Sequence, residues 1–338
     1  MKQLESKAVD GPRGGVTAAT RRWSLRRAIT DNQWVVLLLL TVAIAIATGA
    51  QNDRFWTLGN ISSLFQQISV LGLVATGATI LIISGNFDIS VDAYVGLAVV
   101  VMPMLLNAGW GPFPGVLVGI ALCIACSTFN GVASIVFKAP SFIVSLATLG
   151  AFTGISLVLT GGVIQNAFGR FTTLTDTQFF GFLPLIFVFT LAGYVLTHEM
   201  LTRTKIGRRV YAIGTNADVA FRAGINVNGN KILLFAINGL LVGVAAWLLL
   251  ARVGGGLPST GSGLALEGIG AAVIGGVPIT GGKGSVVGTF FGVFLLGVIA
   301  NALNILNVSP YTQQIAQGAL ILVALAISAL RMRFGATT

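Results

Sequence analysis

Asp88 and Asp92 stand four residues apart where a long uncharged run begins, and Glu267 is the lone acid of a short glycine-laden run. An ionisable side chain within apolar sequence is costly to bury, so it caps a helix, lines water or takes part in function. At a helix start, the i,i+4 spacing would put both aspartates on one face. The competing reading has Asp88 or Ser90 capping that helix, with charge favoured near its N-terminus. Ser84, Asn86, Asp88, Ser90, Asp92 and Glu267 are therefore the candidates for a polar pathway or its gate. Other constellations fall short of chemistry. Cys123 and Cys126 form C-x-x-C inside an apolar run, where packing explains them better than redox or zinc chemistry. Gly281-Gly282-Lys283-Gly284-Ser285 lacks the G-x-x-x-x-G-K-[ST] spacing of a phosphate loop and reads as a tight turn. With His198 as the single histidine and no nucleophile–base pair, no catalytic, cofactor or metal site is expected, and the chain is not expected to be an enzyme.

The elements that must position these residues follow from composition. Of 338 residues, 55% are hydrophobic and 9% charged, against about 25% charged in a soluble domain. The 44 glycines and 9 prolines suit close helix packing and broken helices in a bilayer. The expectation is an all-α polytopic membrane protein with about ten transmembrane or re-entrant helices. The apolar runs are 34–50, 63–83, 93–107, 114–137, 140–160, 181–197, 232–251, 264–279, 286–306 and 311–330.

Basic residues orient the chain. Seventeen of the twenty fall on one side if the N-terminus is cytoplasmic, leaving only Arg54, Arg170 and Arg252 outside, so both termini are expected inside. The +10 charge is thereby topology, and no nucleic acid is expected as a partner. Residues 1–33 read as a basic cytoplasmic tail with no signal peptide, 34–330 as the membrane domain with a cytoplasmic loop 198–231, and 331–338 as a cytoplasmic tail.

Run 264–279 ends in Gly275-Gly276-Val277-Pro278 and is either a broken, re-entrant helix or a tilted one packed through small residues. Ile83-Ser84-Gly85…Ser90-Val91 is weakly echoed by Ile274-Gly275-Gly276…Ser285-Val286. In the loop 198–231, Val219 to Ala223 has the makings of a short helix, capped by Asn216 and ended by Gly224. A partly apolar helix outside the membrane calls for a partner protein; a solvated basic loop is the plainer alternative.

Thr204, Gly207-Arg208, Tyr211-Ala212-Ile213-Gly214-x-Asn216, Ala220 and Gly224-Ile225 resemble the coupling segment of the ribose-type (CUT2) sugar permeases of bacterial ATP-binding-cassette importers. Ser84-Gly85-Asn86-Phe87-Asp88-Ile89-Ser90-Val91 is similar to that family's S-G-G-I-D-L-S-V-G signature. Pro140-Ser141-Phe142-Ile143-Val144-Ser145-Leu146-Ala147-Thr148-Leu149 resembles its P-F-I-V-T-L-A-T-L segment. Glu267 to Gly276, with Gly281-Gly282-Lys283-Gly284-Ser285-Val286, resembles its glycine-rich D-A-I-A-A-V-V-I-G-G…G-G-x-G-S-V element. The likeness runs from about 50 to 330, with departures: Asn86 and Asp92 replace glycines, and Ala265 stands where an acid is expected.

The resemblance implies a permease subunit in the bacterial inner membrane that imports a monosaccharide or related polyol. It implies a second permease copy or a sibling, a periplasmic solute-binding protein, and cytoplasmic ATPase subunits that carry the ATP, this chain holding no cofactor. Surrounding lipid completes the environment. Thr204, Gly207, Arg208, Tyr211, Gly214, Asn216, Ala220 and Gly224 would then couple to the ATPase. Alternatives are a nucleoside or branched-chain amino acid permease of the same architecture and, from another class, an ion-coupled secondary transporter.

Overall fold

The computed structural model describes residues 33–309, 311–320, 322 and 326. Apart from Gln33, the basic tail 1–33 lies outside the described residues, as do the tail 331–338 and most of 321–330. The chain folds as α1 (Gln33–Gln51), a 3-10 turn (Asp53–Trp56), α2 (Leu58–Ile83), α3 (Val91–Asn107), α4 (Pro112–Val136), α5 (Ser141–Thr160) and the single turn α6 (Thr173–Asp176). It continues as α7 (Leu185–Arg203), α8 (Lys205–Thr215), α9 (Ala217–Arg222), α10 (Val227–Val253), α11 (Leu264–Ile274) and α12 (Val286–Ile305), and residues 311–320 are helical. Strands are limited to two antiparallel ladders of two residues, Gln165–Asn166 with Gly255–Gly256 and Gln178–Phe179 with Leu183–Pro184.

Each of the ten apolar runs carries a helix, and the chain is an all-α polytopic membrane protein. Among the described residues seven helices, α1, α2, α4, α5, α7, α10 and α12, are long and apolar enough to cross a bilayer. α11 is not. At about 1.5 Å per residue it spans roughly 16 Å of a hydrocarbon core about 30 Å thick. It follows a largely irregular stretch, Gly254 to Gly263, that lies along α3 with Gly255, Gly256, Pro258 and Gly261 buried. Gly96 makes that approach tolerable, since a Cβ there would overlap the Pro258 carbonyl.

α10 and α3 form the middle of the bundle. Val242, Ala245, Leu248 and Leu250 are fully buried in one core cluster with Tyr94, Val95, Val99 and Met102. α4 closes onto α10 at Gly239, where a Cβ would sit 2.6 Å from the Ile124 Cα, so small residues set the helix separation.

The weak echo in the sequence is a repeated piece of backbone. α2 ends with Asn86 N–H donating to Leu81 O (2.8 Å) and Gly85 N–H to Ile82 O (2.9 Å). α11 ends identically, Val277 N–H to Ala272 O (3.0 Å) and Gly276 N–H to Val273 O (2.9 Å). Both turns need a left-handed residue, supplied by Gly85 (φ 77°) and Gly276 (φ 95°). A connector then leads to α3 or α12, the latter capped by the Ser285 hydroxyl accepting from Gly288 N–H (3.1 Å).

One expectation is corrected and one is refined. The segment 198–231 opens as helix rather than as loop. α7 continues through Arg203, helped by the Glu199–Arg203 ion pair at i,i+4 (3.0 Å), and ends where Thr204 turns to cap α8. The shared face for Asp88 and Asp92 does not form, because the helix starts at Val91 and leaves Asp88 in the connector.

Candidate functional site

The connector Ser84 to Ser90 between α2 and α3 is where the polar chemistry gathers. It is irregular backbone inside the bundle, so its amides need protein partners. Phe87 N–H donates to the Ser141 hydroxyl and Ile89 N–H to the Ser145 hydroxyl, each at 3.0 Å. Both serines lie in the first two turns of α5.

Asp88 is 5% exposed and takes donors on both oxygens. Oδ1 accepts from Ser90 N–H (3.1 Å), the Ser90 hydroxyl (2.7 Å) and Asn130 Nδ2 (3.1 Å). Oδ2 accepts from the hydroxyls of Tyr94 and Ser127, both at 3.2 Å, and from Asn238 Nδ2 (3.4 Å). The hydroxyls keep their own supply. Asn130 Nδ2 donates to Ser90 Oγ (2.7 Å), and Asn238 Nδ2 to Tyr94 Oη (3.1 Å) and Ser127 Oγ (3.0 Å). Each hydroxyl thus donates to the carboxylate while an amide nitrogen of Asn130 or Asn238 lies within donating distance of it. Thr148 of α5 extends the set by donating to Asn130 Oδ1 (2.7 Å). One carboxylate therefore clasps the connector to α3, α4, α5 and α10.

Asp92 does something else. In the first turn of α3, its Oδ2 accepts from Gly263 N–H (2.8 Å) and its Oδ1 from Ala265 N–H (2.7 Å), capping the half-helix α11. Asp92 also lines an open cleft of about 530 Å³ between α3, α5 and the stretch 257–262, alongside Thr153, Ser259 and Ser262. That volume falls in the range of small-molecule sites, about 300–1,000 Å³. Glu267 is half-buried in the first turn of α11 and faces a different cavity. Ser84 caps the end of α2, its hydroxyl donating to Leu81 O (2.8 Å), and Asn86 Nδ2 donates to Ser84 O (3.2 Å). These two line a small pocket toward α8, α9 and Lys231, away from the cleft.

The candidate coupling residues form a compact unit against both turns. The Thr204 hydroxyl donates to Met200 O (2.6 Å) and accepts from Gly207 N–H (3.3 Å), fixing the corner between α7 and α8. A Cβ on Gly207 would strike Leu201 backbone, and one on Gly214 would overlap the Ile83 carbonyl and lie 2.7 Å from Gly282 N. That carbonyl accepts from Gly282 N–H (2.8 Å), and Tyr211 Oη donates to Gly284 O (2.9 Å). Burial holds the Tyr211 phenol above its ordinary range, so it remains a donor at neutral pH. Asn216 Oδ1 accepts from Val219 N–H (3.0 Å), starting α9, and Gly224 (φ 83°) follows its end, as the sequence suggests. α9 buries Ala220 yet exposes Val219 (61%) and Phe221 (71%), and Arg208 on α8 is exposed.

Four stretches remote in sequence, 84–91, 140–149, 204–225 and 267–286, thus meet at one connector. Sequence reasoning missed Tyr94, Ser127, Asn130, Thr148 and Asn238, and the cleft residues Thr153, Ser259 and Ser262. The signal for two of them was available: Asn130 and Asn238 are amides inside long apolar runs, where an unpaired polar group is too costly to persist.

Comparison with known proteins adds independent findings. The family described as "Branched-chain amino acid transport system / permease component" matches residues 60–325. The ribose import permease protein of Bacillus subtilis (strain 168) is 32% identical over 291 residues, covering 85% of this chain and 89% of the relative. That of Escherichia coli (strain K12) is 32% identical over 322 residues, covering 92% and 97%. The autoinducer 2 import system permease protein of Salmonella paratyphi B (strain ATCC BAA-1250 / SPB7) is 30% identical over 295 residues, covering 87% and 85%. No solved structure matches the chain significantly.

Proposed function

Because the chain belongs to the branched-chain amino acid transport system / permease component family, we propose that it forms the solute path of an ATP-driven, binding-protein-dependent importer of a monosaccharide or related polyol. It is a multi-pass membrane transport subunit. ATP is hydrolysed by separate cytoplasmic ATPase subunits docked on α8 and α9, a periplasmic binding protein delivers the solute, and a second permease, identical or a sibling, completes the path. The N-terminus, the loop containing α8 and α9 and the C-terminus face the cytoplasm of a bacterial inner membrane. The named relatives import ribose and autoinducer 2, which favours a sugar-like solute over an amino acid.

The observation that carries the reading is the backbone-to-backbone contact of Gly214 with Ile83 and Gly282. With no side chain between them, a displacement of α8 passes straight to the end of α2 and to the connector between α11 and α12. From there it reaches the Asp88 clasp and the Asp92 cap, beside the cleft. The exposed Val219 and Phe221 give α9 an apolar face for an ATPase groove, which an ion-coupled secondary transporter has no use for.

Uptake of labelled ribose and related polyols by cells carrying Arg208→Glu or Gly224→Leu tests the dock. Both variants should reach the membrane in normal amount and fail to import. Normal uptake in both sinks the assignment.

A further inference from the structure

Glu267 lines a cavity of about 120 Å³, distinct from the cleft and bounded by α2, α10, α11, α12 and the helical residues 311–320. Its polar lining is Gln67, Arg252, Glu267 and Gln317, against apolar walls that include Leu249 and Leu296. Among the described residues none of these four side chains has a hydrogen bond, and Arg252 and Glu267 are not ion-paired although they line the same space. Glu267 is half-buried, whereas Arg252 is exposed at the C-terminal end of α10, so the cavity reaches the rim of the bundle beside Arg252. The cavity they share with Gln67 and Gln317 has room for several waters or for a small polar ligand group.

The donor and acceptor balance selects a ligand class. Arg252 deters a metal cation and Glu267 deters an anion. A neutral vicinal diol satisfies both at once: its hydroxyls donate to the carboxylate and accept from the guanidinium, while the two glutamine amides offer both functions. The leucine walls suit the C–H face of such a molecule. We propose that this cavity is a second polyol site, separate from the cleft, gripping a vicinal diol of a small neutral polyhydroxylated solute between Arg252 and Glu267. The inference rests on the reading of the chain as a sugar or polyol permease.

The test uses Gln67→Cys in the full-length protein in intact cells, since the native Cys123 and Cys126 are buried. The new thiol is modified from outside by a membrane-impermeant thiosulfonate, with and without glycerol or D-ribose. With polyol at roughly nine times its Kd, modification should slow about tenfold, because free sites fall as 1/(1 + [L]/Kd). Adding Arg252→Gln or Glu267→Gln should leave the thiol reactive and abolish the protection. A thiol that never reacts, or one that neither polyol protects, overturns the site, since the cavity is then closed or holds water alone. ATP-dependent uptake is scored in the same cells. Intact uptake without protection overturns this site alone, whereas protection without ATP-dependent uptake upholds the site and overturns only the importer reading.

Discussion

Replacing Asp88 by alanine removes the acceptor that four buried donors share: Ser90 N–H and the hydroxyls of Ser90, Tyr94 and Ser127. The amides of Asn130 and Asn238 are spared, because each keeps a hydroxyl partner. At about 1–3 kcal/mol per orphaned donor, the gross loss is on the order of 4–12 kcal/mol. Water entering the vacated space recovers part of this, and the buried charge no longer has to be desolvated. The expected net loss is therefore about 2–5 kcal/mol, or a melting temperature lower by roughly 4–10 °C at about 2 °C per kcal/mol. Asp88→Asn keeps Oδ1 but turns an NH₂ toward Tyr94, Ser127 and Asn238, so about half that loss is expected. Thermal unfolding of detergent-purified protein, followed by monodispersity on size exclusion, measures both. If Asp88→Ala melts within about 1 °C of the parent while uptake is lost, the clasp reasoning is wrong and the carboxylate belongs to the solute path.

Gly214→Val should uncouple the transporter, since its side chain would have to displace the backbone of Ile83 and Gly282; ATP hydrolysis by the assembled importer should then continue with uptake reduced at least tenfold, and unchanged uptake would refute direct transmission. Asp92→Ala should cost about 1–2 kcal/mol through loss of the α11 cap, read as a lower melting temperature, whereas Asp92→Asn should be milder. Phe221→Ala and Val219→Ser should leave the melting temperature unaltered and weaken ATPase co-purification, because both side chains are exposed. Tyr211→Phe should cost about 0.5–1.5 kcal/mol with uptake largely retained, since one hydrogen bond to Gly284 O is lost.

Much of this was legible in the chain. Hydrophobic runs located the helices because a bilayer imposes length and composition on them. Asn216 and Gly224 marked the ends of α9 because capping and left-handed turns depend on local chemistry. The candidate coupling segment and the connector both stood out as motifs. Hidden were the contacts that depend on helix rotation and depth. Nothing local says that Asn130 and Asn238, on helices far apart in sequence, turn toward the same carboxylate. The i,i+4 spacing of Asp88 and Asp92 misled because the left-handed turn at Gly85 and the connector delay the helix until Val91, so the two acids point to different partners. The irregular stretch 254–263 carried glycines but gave no sign that it would lie along α3.

The central claim is that this membrane chain works with a separate ATPase. Its most direct test is gentle co-purification of the tagged chain from its own membranes, partners identified by mass spectrometry, followed by uptake into vesicles with and without ATP. The account predicts a cytoplasmic ATP-binding-cassette protein in the complex, lost with Arg208→Glu, and uptake only when ATP and a binding protein are supplied. A monodisperse chain recovered alone and moving solute without ATP would contradict it.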